Sequence, residues 1–117
     1  MRPVSAPLLL LALAPAASLL SPSQAAGQPA ATAVTVSTVA CRTTPDILEM
    51  ERVTLLKDKA AWERFILPRL ADKRCAPMNR GTMVTVDQRL VRPNGALLAC
   101  VRREGESDCW WVNSGIQ

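Results

Sequence analysis

The stretch Gly81-Thr82-Met83-Val84-Thr85-Val86-Asp87, the turn Pro93-Asn94-Gly95 and the return Ala96-Leu97-Leu98-Ala99-Cys100-Val101-Arg102 decide the fold class. Val84 and Val86 alternate with polar neighbours, the two-residue period that puts one face of a strand against a core. Asn-Gly accepts the positive φ angles that a tight hairpin requires, so the two runs are expected to pair antiparallel. A second turn, Arg103-Glu104-Gly105-Glu106, leads to Cys109-Trp110-Trp111-Val112, another strand-like run. The C-terminal half is therefore expected to form a small antiparallel sheet of three to four strands.

Upstream the period changes. Val34-Thr35-Val36-Ser37-Thr38-Val39 suits one strand ending near Cys41. Thr44 is the expected N-cap of a helix running from Pro45 to about Leu56, because proline fits the first helical position and Asp46 and Glu49 complement the positive end of the helix dipole. Its apolar residues are spread around the wheel. Asp58 then caps a second helix, Lys59 to Leu67, in which Trp62, Phe65, Ile66 and Leu70 share a face. Pro68 is expected to stop or kink it. The simplest picture is an α+β domain: a helical hairpin closed at its base, followed by the sheet.

The extreme N-terminus has a different character. Arg2 precedes an apolar run from Leu8 to Leu20, with small residues at Ser23 and Ala25. This is the layout of a secretory signal peptide, residues 1–25, cleaved after Ala25 or after Ala26. The run is shorter than a membrane span and is interrupted by Pro15, so no membrane span is expected after cleavage. Residues 26–33 lack any large apolar side chain and are expected to be a flexible leader, with a single domain over residues 34–117.

Export sets the reading of the cysteines. Cys41, Cys75, Cys100 and Cys109 all follow the cleavage site, so a periplasmic or secreted chain is expected to oxidise them in two pairs, for which three connectivities exist. Local structure favours Cys41 with Cys75, around the helices, and Cys100 with Cys109, around the turn at Gly105. In the chain-entropy picture, loops of about 35 and about 10 residues contribute about 3.8 and about 2.7 kcal/mol, comparable with the whole stability of a small domain. No Cys-x-x-Cys occurs, and the spacing lacks the close ligand pairs of structural zinc; no metal and no cofactor are expected.

The 117 residues contain no histidine. That removes the usual general base near neutral pH and every Ser-His or Cys-His pair, and the carboxylates that neighbour one another in sequence sit on a helix surface or a turn rather than in a cleft. A non-enzymatic chain is expected. Its net charge is +4, with eleven arginines against three lysines, too modest an excess in an exported protein to argue for nucleic acid. The candidate binding residues are Trp110 and Trp111, one of which a strand would turn outward as a stacking surface unless something covers it, and Arg102 and Arg103, which suit carboxylates unless Glu104, Glu106 and Asp108 pair with them.

Three features together, Cys75-Ala76-Pro77-Met78-Asn79-Arg80-Gly81-Thr82-Met83-Val84, Cys100-Val101-Arg102 and Cys109-Trp110-Trp111, resemble small exported bacterial domains of unknown function. The strand portion resembles a bacterial SH3-like barrel. The resemblance spans residues 75–117 plus Cys41, carries no catalytic residue, and implies binding of peptides, cell-wall material or protein partners. The expected function is thus an envelope binding module for a protein or cell-wall ligand. The alternatives are an inhibitor or immunity-type protein of an exported enzyme, and a structural subunit of an envelope assembly.

Overall fold

A computed structural model describes residues 30–116; the expected signal peptide and the first four residues of the expected leader lie outside them. The polypeptide forms β1 (Ala31–Ala33), β2 (Thr38–Cys41), α1 (Thr44–Leu55), α2 (Lys59–Ala71), β3 (Cys75–Met78), β4 (Met83–Val91), β5 (Leu97–Arg103) and β6 (Trp110–Val112). All six strands join one antiparallel sheet in the order β1-β4-β5-β6-β2-β3. The α+β class and two disulfides are present, but the sheet has six strands rather than three or four.

Local chemistry accounts for most element ends. Thr43, one residue before the expected cap, accepts from the Asp46 N–H at 3.3 Å and opens α1, with Pro45 in its first turn. Asp58 caps α2 by accepting from the N–H groups of Ala60 and Ala61 at 3.0 and 3.2 Å. Each helix ends on a lysine in the left-handed region, Lys57 at φ 54° and Lys73 at φ 64°, where glycine is the usual residue. In the β4–β5 hairpin the turn is centred on Pro93-Asn94, with the Gly95 N–H bonding the Arg92 carbonyl at 2.8 Å and Gly95 alone taking the left-handed φ, 84°.

Four expectations are corrected. The segment 34–41 is not one strand: Val34 lies beyond β1, and the chain crosses from β1 to β2 through residues 34–37, held by Thr35 N–H to Gly115 O at 2.8 Å. Ala31–Ala33, placed in the leader, pair with Thr85, Val84 and Met83 of β4. The second helix runs past Pro68 to Ala71. The carbonyl that Pro68 leaves without a donor belongs to Arg64, and both residues are exposed, so water can take the bond while Arg69 anchors the last turn. Cys75-Ala76-Pro77-Met78, outside the expected strands, is an edge strand, which tolerates proline.

Both faces of the sheet are covered. On one face lies a core of Ile47, Met50 and Val53 from α1, Phe65 and Ile66 from α2, and Leu98 and Trp111 from the strands. The three α1 residues recur every third position, a narrower stripe than the sequence suggests. The other face buries Val34, Ala40, Met78, Val84, Ala99, Val101, Trp110 and Val112. No helix contributes to this second cluster; Val34 and Ile116, from segments beyond β1 and β6, pack with the strand residues.

The two disulfides pin the layers. Cys41 and Cys75 face each other across β2 and β3 with Cα atoms 4.0 Å apart, beneath the helices they enclose. Cys100 joins Cys109, bringing the start of β6 onto β5.

Candidate functional site

The adjacent tryptophans do point to opposite faces of β6, as strand geometry requires, yet neither is exposed: Trp110 is 2% and Trp111 9% accessible. Trp111 sits under the helices in the first core. Trp110 enters the second core, donates its indole N–H to Glu106 Oε1 at 2.9 Å, and has the Arg42 guanidinium 3.6 Å above its ring centroid and that of Arg103 at 5.3 Å. The expected outward tryptophan is corrected for a plain reason: a sheet with two covered faces has no outward side at β6.

The two arginines also part company. Arg103 forks onto Glu106 Oε2 at 3.1 and 2.8 Å, beside Trp110. Arg102 faces away and pairs with Asp87 at 3.1 and 3.2 Å. The four residues expected to form a site are therefore divided, with only Trp110 and Arg103 together.

An apolar groove lies elsewhere, at the helices. It has a volume of about 550 Å³ and is bounded by β2, the end of α1 and the start of α2. Val39, Met50, Val53 and Trp62 supply its apolar walls, and Lys57, Lys59 and Asn113 its polar rim. Trp62 is half-buried, in the tilted arrangement with Phe65 at 6.2 Å between ring centroids. Asp58, also on the rim, spends its carboxylate on the α2 N–H groups. The rim thus presents two lysine ammonium groups to a ligand.

This groove continues past Thr54 and Asn113 into a second hollow of about 370 Å³, walled by Leu55, Glu51 and Arg92. Glu51 accepts from Arg92 at 2.6 and 3.0 Å and from the Asn113 amide at 2.8 Å, tying α1 to the β4–β5 hairpin and to the segment after β6. The Arg92 hydrogen bond lowers the Glu51 carboxyl below its ordinary range, outweighing the opposing effect of burial, so the pair stays charged. Leu55, 78% exposed, projects beside it.

A second ion cluster lies at the other end of the helix pair. Asp46, at the start of α1, accepts from Arg69 at 3.1 Å and from Arg74 at 2.9 and 3.3 Å, and Arg69 also caps the Phe65 carbonyl at 2.8 Å. Burial raises the Asp46 pKa, but the two arginines overcome it and hold the carboxyl below its ordinary value. The cluster fixes the first turn of α1 against the last turn of α2, while the groove opens at their other ends.

Trp62 carried a sequence signal, but only as one member of an apolar helical stripe. Arg42 carried none, because its ring contact depends on β2 lying against β6. Among the described residues no three metal-ligating side chains cluster, and no helix is long and apolar enough to cross a membrane. Fold and site define a small α+β domain with two disulfides, the chemistry of an oxidising compartment outside the cytoplasm. No family model, curated protein or solved structure matches the chain.

Proposed function

We propose that this is a small non-enzymatic binding module of the periplasm or the secreted fraction, and that it holds a segment of an envelope protein in the groove floored by Trp62. The observation that carries the reading is the pairing of an apolar, tryptophan-floored groove of about 550 Å³ with a rim of two lysines. An apolar side chain would bury against Met50, Val53 and Trp62, while a neighbouring carboxylate on the partner would meet Lys57 or Lys59. Sites of this size and lining, apolar with a few convergent polar groups, are the usual form of a ligand site. Tryptophan is also the side chain most often found to dominate protein interfaces.

The oxidised full chain, immobilised and exposed to envelope extract, tests it. Trp62→Ser is expected to lose the captured protein, while Val91→Ser, which alters an exposed residue outside the groove, retains it. Equal recovery by the Trp62→Ser protein with its thermal transition intact would overturn the reading.

A further inference from the structure

We propose that Arg42, Lys73 and Arg103, gathered at Trp110, form a seat for the carboxylate of an acidic peptide. The seat is a groove of about 490 Å³ whose walls also include Leu70 and Pro77, and it shares no lining residue with the Trp62 groove. The two sites therefore stand or fall separately.

The arginines of this protein are mostly committed. Arg52, Arg69, Arg74, Arg92, Arg102 and Arg103 each contact an Asp or Glu of the chain. Arg42 does not: among the described residues no carboxylate lies within ion-pair distance of it, Glu106 acting on it only at longer range, and its guanidinium carbon sits 3.6 Å from the Trp110 ring centroid. With no ion pair made, its N–H groups are there for a ligand, in the fork geometry that matches a carboxylate. Glu106, the one carboxylate in the groove, is occupied by Arg103 and by the Trp110 indole.

Lys73 strengthens the case. It occupies the position after the α2 cap at φ 64°, its N–H bonding Leu70 O at 3.3 Å while the Arg74 N–H bonds Arg69 O at 2.9 Å. Glycine satisfies that backbone at lower conformational cost, so the lysine there is strained yet places an ammonium on the groove. Three cations face one carboxylate. The apolar wall of Leu70, Ala76 and Pro77 suits the body of a peptide rather than a bare ion, which finds no apolar surface to bury.

The experiment titrates the full chain, both disulfides formed, with a terminally blocked Ala-Glu-Ala-Glu peptide, its glutamine twin, and inorganic phosphate, followed through the Trp110 indole N–H by NMR. Saturable shifts with the glutamate peptide are expected, at least tenfold weaker with the glutamine twin, with phosphate, and in Arg42→Gln. Lys73→Gly is expected to melt no lower than the parent and to bind at least threefold more weakly. The proposal is overturned if the glutamine twin or phosphate matches the glutamate peptide. It is equally overturned if Lys73→Gly, folded and stable, binds as the parent does.

Discussion

The two faces of the sheet are closed in different ways. One is roofed by α1 and α2, chain that lies between Cys41 and Cys75; the other buries its side chains without a helix, among the strands, Val34 and Ile116. Trp111 and Trp110 are the same residue type, one position apart, and each is the buried tryptophan of its own core. The difference teaches what each cover leaves available. The helical roof leaves a groove at Trp62, whereas the groove at the other face lies at Trp110, where the Arg42 and Arg103 guanidinium groups sit over the ring.

The largest test of this contrast removes each ring. Trp111→Ala and Trp110→Ala are each expected to lower stability by about 3 to 5 kcal/mol, the range for truncating a buried aromatic, as read from chemical denaturation with the disulfides intact. If either variant unfolds at the parent's denaturant midpoint, that face is not a core.

A smaller effect separates the faces by pH. Asp46 belongs only to the helical roof, and its carboxyl is held below the ordinary value of 3.8 by Arg74 and Arg69 against the effect of burial. A depressed carboxylate adds stability above its unfolded pKa, and that contribution is lost as pH falls through the folded value. Glu51 and Glu106 are also lowered and share the acid limb. Asp46→Asn is expected to cost about 1.5 to 3 kcal/mol at neutral pH, the usual value of hydrogen bonds to a charged group, and to flatten the stability profile below pH 4. Hydrogen exchange in the parent at low pH should loosen α1 and α2 before β4 and β5. Simultaneous loss of protection would show that the roof and the sheet open as one.

The smallest effect is a gain. Lys57→Gly relieves the left-handed backbone at the end of α1 and is expected to add about 0.5 to 1 kcal/mol, measured as a raised melting temperature. A lowered one would mean that the lysine side chain supports the roof.

Much of this arrangement was legible in local chemistry. Asn94-Gly95 announced the central hairpin, Asp58 the second helix, and the spacing of the cysteines their pairing. The threonine pair hid the true cap, since Thr43 and Thr44 carry the same oxygen and only the fold selects between them. Ala31–Ala33 and Cys75–Met78 were illegible because small residues and proline lack strand character; they become strands by pairing with β4 and β2, partners distant in sequence. The site was less legible than the fold. Trp110 and Arg103 do meet, but Trp111 is buried by the helices and Trp110 by the second cluster, long-range packing that no local window contains.

The outermost strands of the ladder are β1, three residues long, and β3, four residues interrupted by Pro77. β4, the longest strand, is flanked by β1 only over Met83–Thr85, and from Val86 to Val91 its one strand neighbour among the described residues is β5. β1 and β3 offer too few consecutive donors to dock a strand, so the margin that a further strand would join is the outer side of β4.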